Sequence, residues 1–401
     1  MQNGWRIGSI FGIPLFLDPS WFFILALFTI ANSFDWQREY PAWGTALTWT
    51  MGLLISLLLF ASVLLHELGH SLTARSQGIK VNSITLFLFG GIASIDKESK
   101  TPLEALQVAI AGPLVSLILF FLLSLLNTNI TLPAPVSILL EDLAYLNFVL
   151  AMFNLIPGLP LDGGQVVKAI VWKITGNRFK GVHWAAKSGQ ILGWAAIILG
   201  VTAALFGGVD GGFWIALLGW FGVRNASNYD SITSLQESLL KIVAADAMTR
   251  EFRVIDANLT VREFADNYLL ETNHFPVYFA ASDGRYRGMV SIEDLHLVER
   301  SLWENTSLEN ILHPLSEIIT VQENTMLVEV INTLENHQLF RITVLSPAGT
   351  VAGIIDKGDI VRTVLQKLNM PMSEEMIKRI KEDGDYPPGL QLSAIAKSTI
   401  E

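Results

Sequence analysis

A chain of 401 residues with 51% hydrophobic and only 16% charged residues is too apolar for an ordinary soluble protein, and its mean hydropathy of +0.43 points to membrane spans. It contains no cysteine, which excludes a disulfide framework and any thiolate-ligated metal and leaves oxygen and nitrogen as ligands. The net charge of −10 is lodged at the C-terminal end: residues 1–229 hold 12 Lys/Arg against 11 Asp/Glu and residues 230–401 hold 15 against 26, so neither part offers a basic face for nucleic acid.

Apolar runs lie near residues 16–32, 45–70, 104–126, 136–156, 189–207 and 212–224. Several reach the roughly 20 residues that a helix needs to cross about 30 Å of hydrocarbon. The first and last are short. The expected fold is a polytopic α-helical membrane protein of about six spans, followed by a soluble α/β tail. The N-terminus lacks a basic region ahead of a short apolar core, so the first run reads as a mature membrane segment. Arg75, Lys80, Lys97 and Lys100 lie between the second and third runs, and Lys168, Lys173, Arg178, Lys180 and Lys187 between the fourth and fifth. The intervening loops carry only Arg38. That bias predicts both basic loops, both termini and the tail on the cytoplasmic side, with the plasma membrane as the expected location.

The second run ends in His66-Glu67-Leu68-Gly69-His70, an HExxH sequence. Residues four apart share a helix face, so both imidazoles reach one ion. Zinc accepts neutral imidazole nitrogen, and two such ligands leave room for a third and for water. Glu67 is then placed beside that water to take its proton. Three ionisable groups in an apolar segment are costly unless they face a cavity or bind something. A third ligand is expected from another span. The fourth run ends in Asn154-Leu155-Ile156-Pro157-Gly158-Leu159-Pro160-Leu161-Asp162-Gly163-Gly164, where Asp162 is the outstanding carboxylate and two prolines with three glycines break the helix.

Together these two motifs resemble the site-2 protease family of intramembrane zinc metalloproteases. The resemblance implies that His66, His70 and Asp162 hold Zn2+, that Glu67 is the catalytic glutamate, and that Asn154 supports the substrate carbonyl or its oxyanion. Ile84 to Ile95, with Gly90-Gly91 inside, looks like the family's short β-hairpin near the active site, and Ala111-Gly112-Pro113 followed by Ser116 resembles its next-span motif. The implied substrate is a membrane-spanning protein, met in the lipid bilayer and unwound before cleavage. An exposed β edge, such as Thr85 to Phe89, would hold such a strand by hydrogen bonding.

In the acidic tail, Gly288-Met289-Val290-Ser291-Ile292-Glu293-Asp294 is echoed by Gly353-Ile354-Ile355-Asp356-Lys357-Gly358-Asp359, with the late Asp residues 65 positions apart. Each unit reads as a turn, a helix, two strands and another helix. The strand pairs are expected near Phe275–Phe279 with Arg287–Ser291, and near Arg341–Leu345 with Val351–Ile355. This looks like a tandem pair of cystathionine-β-synthase-type (CBS) domains, a fold that implies a regulatory or dimerising role and an adenine nucleotide as candidate ligand. Ser291 would contact phosphate, and Asp294 and Asp359 would bind ribose. Asp356 replaces the second unit's hydroxyl and would repel phosphate. His183, His274, His296, His313 and His337 have no ligand spacing and read as solvated or core histidines.

The expected organisation is a membrane-embedded metalloprotease domain (1–225), a linker (226–245), the CBS pair (246–370) and a polar tail (371–401) that frays. A homo-oligomer is compatible with the CBS pair. The competing reading is a CBS-gated transporter or channel with His, Glu and Asp along an ion path. A third is a scaffold with a structural metal. Transport does not require HExxH with a later Asp162-Gly163, and a structural site gains little from Glu67.

Overall fold

Strands β1 (Trp5–Ile10) and β2 (Ile13–Leu17) are joined by Phe11 and Gly12, both with positive φ. Left-handed backbone at both central residues matches the twist of an antiparallel pair. The chain continues through α1 (Ser20–Glu39), α2 (Gly44–Ser76), β3 (Val81–Phe87), β4 (Gly90–Ile95), α3 (Pro102–Asn129), α4 (Ala134–Asn154), α5 (Asp162–Thr175), α6 (Arg178–Phe206) and α7 (Gly212–Leu239). The computed structural model describes residues 4–88, 90–206, 211–269, 277–368, 370, 372–387, 390 and 392–400. It divides into two units, Met1–Thr233 and Ser234–Glu401.

The first unit has one sheet in the order β1-β2-β3-β4. β2 and β3 run parallel, and the other pairs are antiparallel. Ile13, Leu15, Val81 and Ile84 of the sheet are buried with Leu68 and Ala74 of α2, so the sheet packs on the helix that carries HExxH. Thr85 to Phe87, expected at a free edge, belong to β3, where Thr85 and Leu86 are paired on both sides and Phe87 with β4; Phe89 lies outside the described residues. The hairpin was legible, but the two N-terminal strands that cover β3 were not. The free edge on that side is β4.

Among the described residues, four helices are long and apolar enough to cross a membrane: Pro41–Ser76, Pro102–Asn129, Ala134–Asn154 and Arg178–Phe206. The expected first and sixth runs fall in α1 and α7. Asn32, Ser33, Asp35 and Gln37 end the apolar stretch of α1, and Arg224, Asn225, Asn228 and Asp230 that of α7. Packing in these helices is inverted relative to a soluble protein. In α3 the buried residues are Ala109, Gly112, Pro113 and Ser116, while Leu114, Ile118, Phe121, Leu122 and Leu125 face outward. Water would penalise such a surface and lipid does not. Small inward residues let backbones approach. A Thr101–Glu104 capping box with Pro102 at the first position fixes where α3 starts.

The second unit holds a sheet β5-β6-β7-β8 (Phe252–Asp256, Val277–Ser282, Arg285–Val290, His313–Pro314) and a sheet β11-β10-β9 (Val351–Asp356, Arg341–Leu345, Thr320–Gln322). The hairpins β6–β7 and β10–β11 are the two repeated strand pairs. Phe275 lies outside the described residues. Short helices α8 (Ala244–Ala247), α9 (Val261–Phe264) and α10 (Ile292–Leu295) and longer ones α11 (Leu327–Asn336) and α12 (Lys357–Lys367) complete the repeats. The C-terminal segment is helical where a frayed end was expected. In α13 (Glu374–Asp383) and α14 (Leu392–Ile400), Ile377, Ile380, Leu392 and Ala396 enter the same core as Leu327, Ile331 and Val364. The apolar residues there are few but spaced along one helix face, which composition alone conceals. Leu235 and Leu239 of α7 join this core too, so helix continues through much of the expected linker.

Candidate metal centre

Helix α2 presents His66 and His70 one turn apart, both buried. Their Nε2 atoms lie 3.3 Å from one another. Asp162, the first residue of α5, places Oδ2 3.1 Å from His66 Nε2 and 3.2 Å from His70 Nε2. This is the group of three donors able to hold a metal found among the described residues.

The other ring nitrogens are spoken for. His70 Nδ1 lies 2.7 Å from the Val108 carbonyl. A carbonyl only accepts, so Nδ1 carries the hydrogen and a neutral ring turns the Nε2 lone pair to the centre. His66 Nδ1 meets the fully buried Ser116 hydroxyl at 2.9 Å. Both partners come from α3, which therefore fixes the orientation of two side chains on α2. Two imidazole lone pairs and a carboxylate converging in a buried space form a donor set suited to a divalent cation, and two nitrogens with one oxygen is a zinc-type combination. Gly112 lies against this space: a Cβ there would overlap the Nε2 atoms of both histidines. Gly69 brings α2 close to the Ala111 carbonyl.

Asp162 reaches the centre through the turn Leu155–Leu161. Leu159 N–H donates to Ala185 O of α6 and Leu161 N–H to Gly158 O, which tie down a segment that cannot continue α4. A Cβ at Gly163 would run into the carbonyls of Leu155 and Ile156, so this compact fold-back needs glycine directly after Asp162.

Glu67 lies on α2 beside His66, against β4. A Cβ at Gly91 would overlap its side chain. The edge strand and the glutamate are thus in contact. Asn154 ends α4, and its Nδ2 donates to Leu150 O in its own helix at 3.0 Å. It is not among the groups converging on the three donor atoms.

In the second unit, Ser291 donates through its N–H and its hydroxyl to Asp294 Oδ2, at 2.7 and 2.9 Å. His313, which the sequence left as a solvated or core residue, lies 2.9 Å from Asp294 Oδ1. Asp359 is almost fully buried and held by Lys381 of α13 at 2.8 Å, with Arg362 at 3.4 Å. Lys381 also meets Glu251 at 2.8 Å and Asp356 at 3.4 Å. Burial and the neighbouring Asp356 carboxylate push Asp359 up to about 6, against the pull of Lys381. No periodicity announced these contacts, because Lys381 and His313 are far from the motifs in sequence.

Residues 54–133 and 128–196 match peptidase family M50, and residues 243–298 and 304–366 match the CBS domain. A Synechocystis protein provisionally named a zinc metalloprotease is 43% identical over 363 residues, covering 90% of this chain and 96% of that one. The chain belongs to peptidase family M50. A zinc metalloprotease of Methanocaldococcus jannaschii is 30% identical over 364 residues, covering 91% of this M50 peptidase and 97% of the relative. Among solved structures, the site-2 protease from Methanocaldococcus jannaschii matches at 30% identity with a TM-score of 0.42, covering 57% of this chain and 95% of that one. The protein is a zinc metalloprotease of family M50 with a C-terminal CBS pair, and the transporter reading is set aside.

α3 supplies none of the three donors, yet it orients two of them and leaves the space between them. Ser116→Ala should weaken zinc binding roughly 10- to 100-fold by freeing the His66 ring, and Gly112→Ala should abolish it by filling the space. Competition with a graded series of chelators, read by metal analysis of the purified variants, measures both. Wild-type affinity in Gly112→Ala would show that the ion sits elsewhere.

Proposed function

We propose that this M50 peptidase hydrolyses peptide bonds in membrane-spanning protein substrates, with zinc held by His66, His70 and Asp162. The observation that carries this is the gathering of three donor atoms, Glu67 and a free β edge in a bundle whose outward face is apolar. Zinc chemistry at such a site is Lewis acidity toward a carbonyl and acidification of water. Glu67 accepts the proton of the attacking water and returns it to the leaving amine. β4 receives the unwound substrate as an added strand, which brings the scissile bond over Glu67. Asn154 Nδ2 has two hydrogens and spends one on Leu150, so the other is available to the substrate carbonyl.

Glu67→Gln keeps the shape and loses the proton acceptor. Co-expression with candidate single-span proteins should give cleavage by the wild type and none above background by Glu67→Gln, with zinc content equal. Turnover by the variant near the wild-type rate would remove Glu67 as the base.

The basic loops on either side of α3–α4 support a cytoplasmic tail. Protease added to right-side-out vesicles should leave residues 234–401 intact until the vesicles are lysed; digestion before lysis reverses the orientation.

The CBS pair is proposed to sense an adenine nucleotide and to regulate proteolysis. Ser291 and Asp294 of the first repeat are the better-placed pair, because the His313 side chain that covers Asp294 is half-exposed while Asp359 is enclosed. Regulation requires different nucleotide affinity in the more and less active states. Calorimetry on residues 234–401, which have their own core, should show adenine nucleotide binding that Asp294→Ala removes, and the full chain should change cleavage rate when nucleotide is added. No binding at millimolar nucleotide would leave the pair as a docking or dimerising module.

A further inference from the structure

Between the end of β4 and the start of α3 the chain is fastened on two sides. Asp96 N–H donates to Lys80 O at 2.9 Å, and Ser99 Oγ donates to Gln77 Oε1 at 3.1 Å. Gln77 is the C-cap of α2, and its amide nitrogen donates to Glu104 O at 2.9 Å. These contacts tie the loop to the helix of His66, Glu67 and His70. On the other side Glu98 reaches α5. Its carboxylate lies 2.9 Å from Lys168 Nζ and 3.9 Å from Arg178 Nη1.

Lys168 has an unusual setting for a lysine. It is 7% exposed and lies on α5 six residues after Asp162. The backbone there is crowded, because a Cβ at Gly181 would come 2.5 Å from the Lys168 carbonyl oxygen, so α6 packs directly on this turn. A buried ammonium needs a partner, and removing that partner leaves an uncompensated charge. Among the described residues, Glu98 is the carboxylate within ion-pair distance of Lys168. Glu98 is three residues beyond β4, whose Gly91 lies against Glu67.

We propose that the Glu98–Lys168 ion pair is a clamp that sets the β4 edge over the active centre, making Glu98 and Lys168 positioning residues for substrate. The clamp joins the strand that receives substrate to the helix that begins with a metal ligand. Arg178, at the start of α6, extends it. Neither residue reaches the reacting atoms. The inference rests on the reading of β4 as the substrate-binding edge.

The clamp has a kinetic signature distinct from simple loss of folded enzyme. Fewer correctly folded molecules lower apparent kcat and leave KM unchanged, whereas a displaced edge strand weakens substrate binding and raises KM. In the full-length protein in detergent with a single-span substrate, Glu98→Gln and Lys168→Met should each raise KM about tenfold, with kcat changed by about twofold or less and zinc content at the wild-type level. The double variant, Glu98→Gln with Lys168→Met, should lose no more kcat/KM than the worse of the two single variants, because the pair acts as one unit. Unchanged KM in both single variants would overturn the clamp, as would a double variant no better than the product of the single effects. If Lys168→Met fails to accumulate, Glu98→Gln and Glu98→Ala carry the test, because Glu98 is at the surface. Glu67→Gln runs in the same assay: if it still cleaves, the catalytic reading has failed, whereas inactivity there with an unchanged KM in Glu98→Gln sinks the clamp alone.

Discussion

Two imidazole nitrogens face one another at 3.3 Å inside an apolar bundle, with a carboxylate oxygen against both. Such a cluster is costly in a membrane protein unless a cation compensates it. The first unit is organised around meeting that condition. α3 gives up side-chain volume at Gly112 so that the space exists, and supplies Ser116 and the Val108 carbonyl to aim the rings. The turn after α4 collapses on glycine so that Asp162 arrives from the opposite side. None of these features is explained by helix propensity or by the search for apolar burial, since the residues involved are small or polar. They follow from the need to converge three donors in a place where water cannot substitute for a missing one.

The same logic explains why the sheet is where it is. Backbone in a hydrophobic setting must have its polar groups satisfied, and a strand whose edge is open there is an exception that demands a reason. β3 is protected on both sides, by β2 and β4, and the burial of Ile13, Leu15 and Ile84 against α2 seats the sheet. β4 alone is left with a free side next to Glu67. An edge strand is ordinarily covered or blunted because it invites pairing. Here Gly90 and Gly91 strip side chains from its start, and Glu67 fills the room that Gly91 leaves. The edge and the glutamate are therefore one construction, and displacing either one disturbs the other.

How much of this was legible in the sequence depended on the range of the interaction. His66 and His70 declare their common face through a four-residue spacing, and Asp162 stands out as a carboxylate in a broken apolar run. The hairpin and the CBS repeats were visible because they are local patterns. Contacts between distant segments were not. Nothing near Ser116 says that it meets His66 fifty residues earlier. The sheet order was misjudged for the same reason: the residues that cover β3 on its β2 side lie at the other end of two helices, so Thr85 looked exposed. The C-terminal helices were hidden differently. Ile377, Ile380, Leu392 and Ala396 are diluted among charges, and composition averages away the stripe that packs them. Asn154 was named from the motif alone: one of its amide hydrogens is spent on Leu150 within α4, and the role proposed for the other rests on the resemblance and not on contact with the three donors.

The two CBS repeats carry the same late aspartate in different electrostatic settings, and the difference bears on which of them can exchange a ligand. Asp294 is covered by Ser291, which is its neighbour in the same turn, and by a half-exposed His313. Releasing His313 moves one side chain at the surface. Asp359 is covered by Lys381, which also binds Glu251 and Asp356, on a helix whose Ile377 and Ile380 are in the core. Releasing Lys381 would leave the carboxylates of Glu251, Asp356 and Asp359 without the ammonium they share, with Arg362 beside Asp359 as partial compensation, and the like-charge cost is already visible in the raised Asp359. An anionic ligand would meet that cost in full. The repeat is thus symmetric in sequence and asymmetric in chemistry: the second aspartate anchors α13 to its own domain, and the first is the one whose partner can leave.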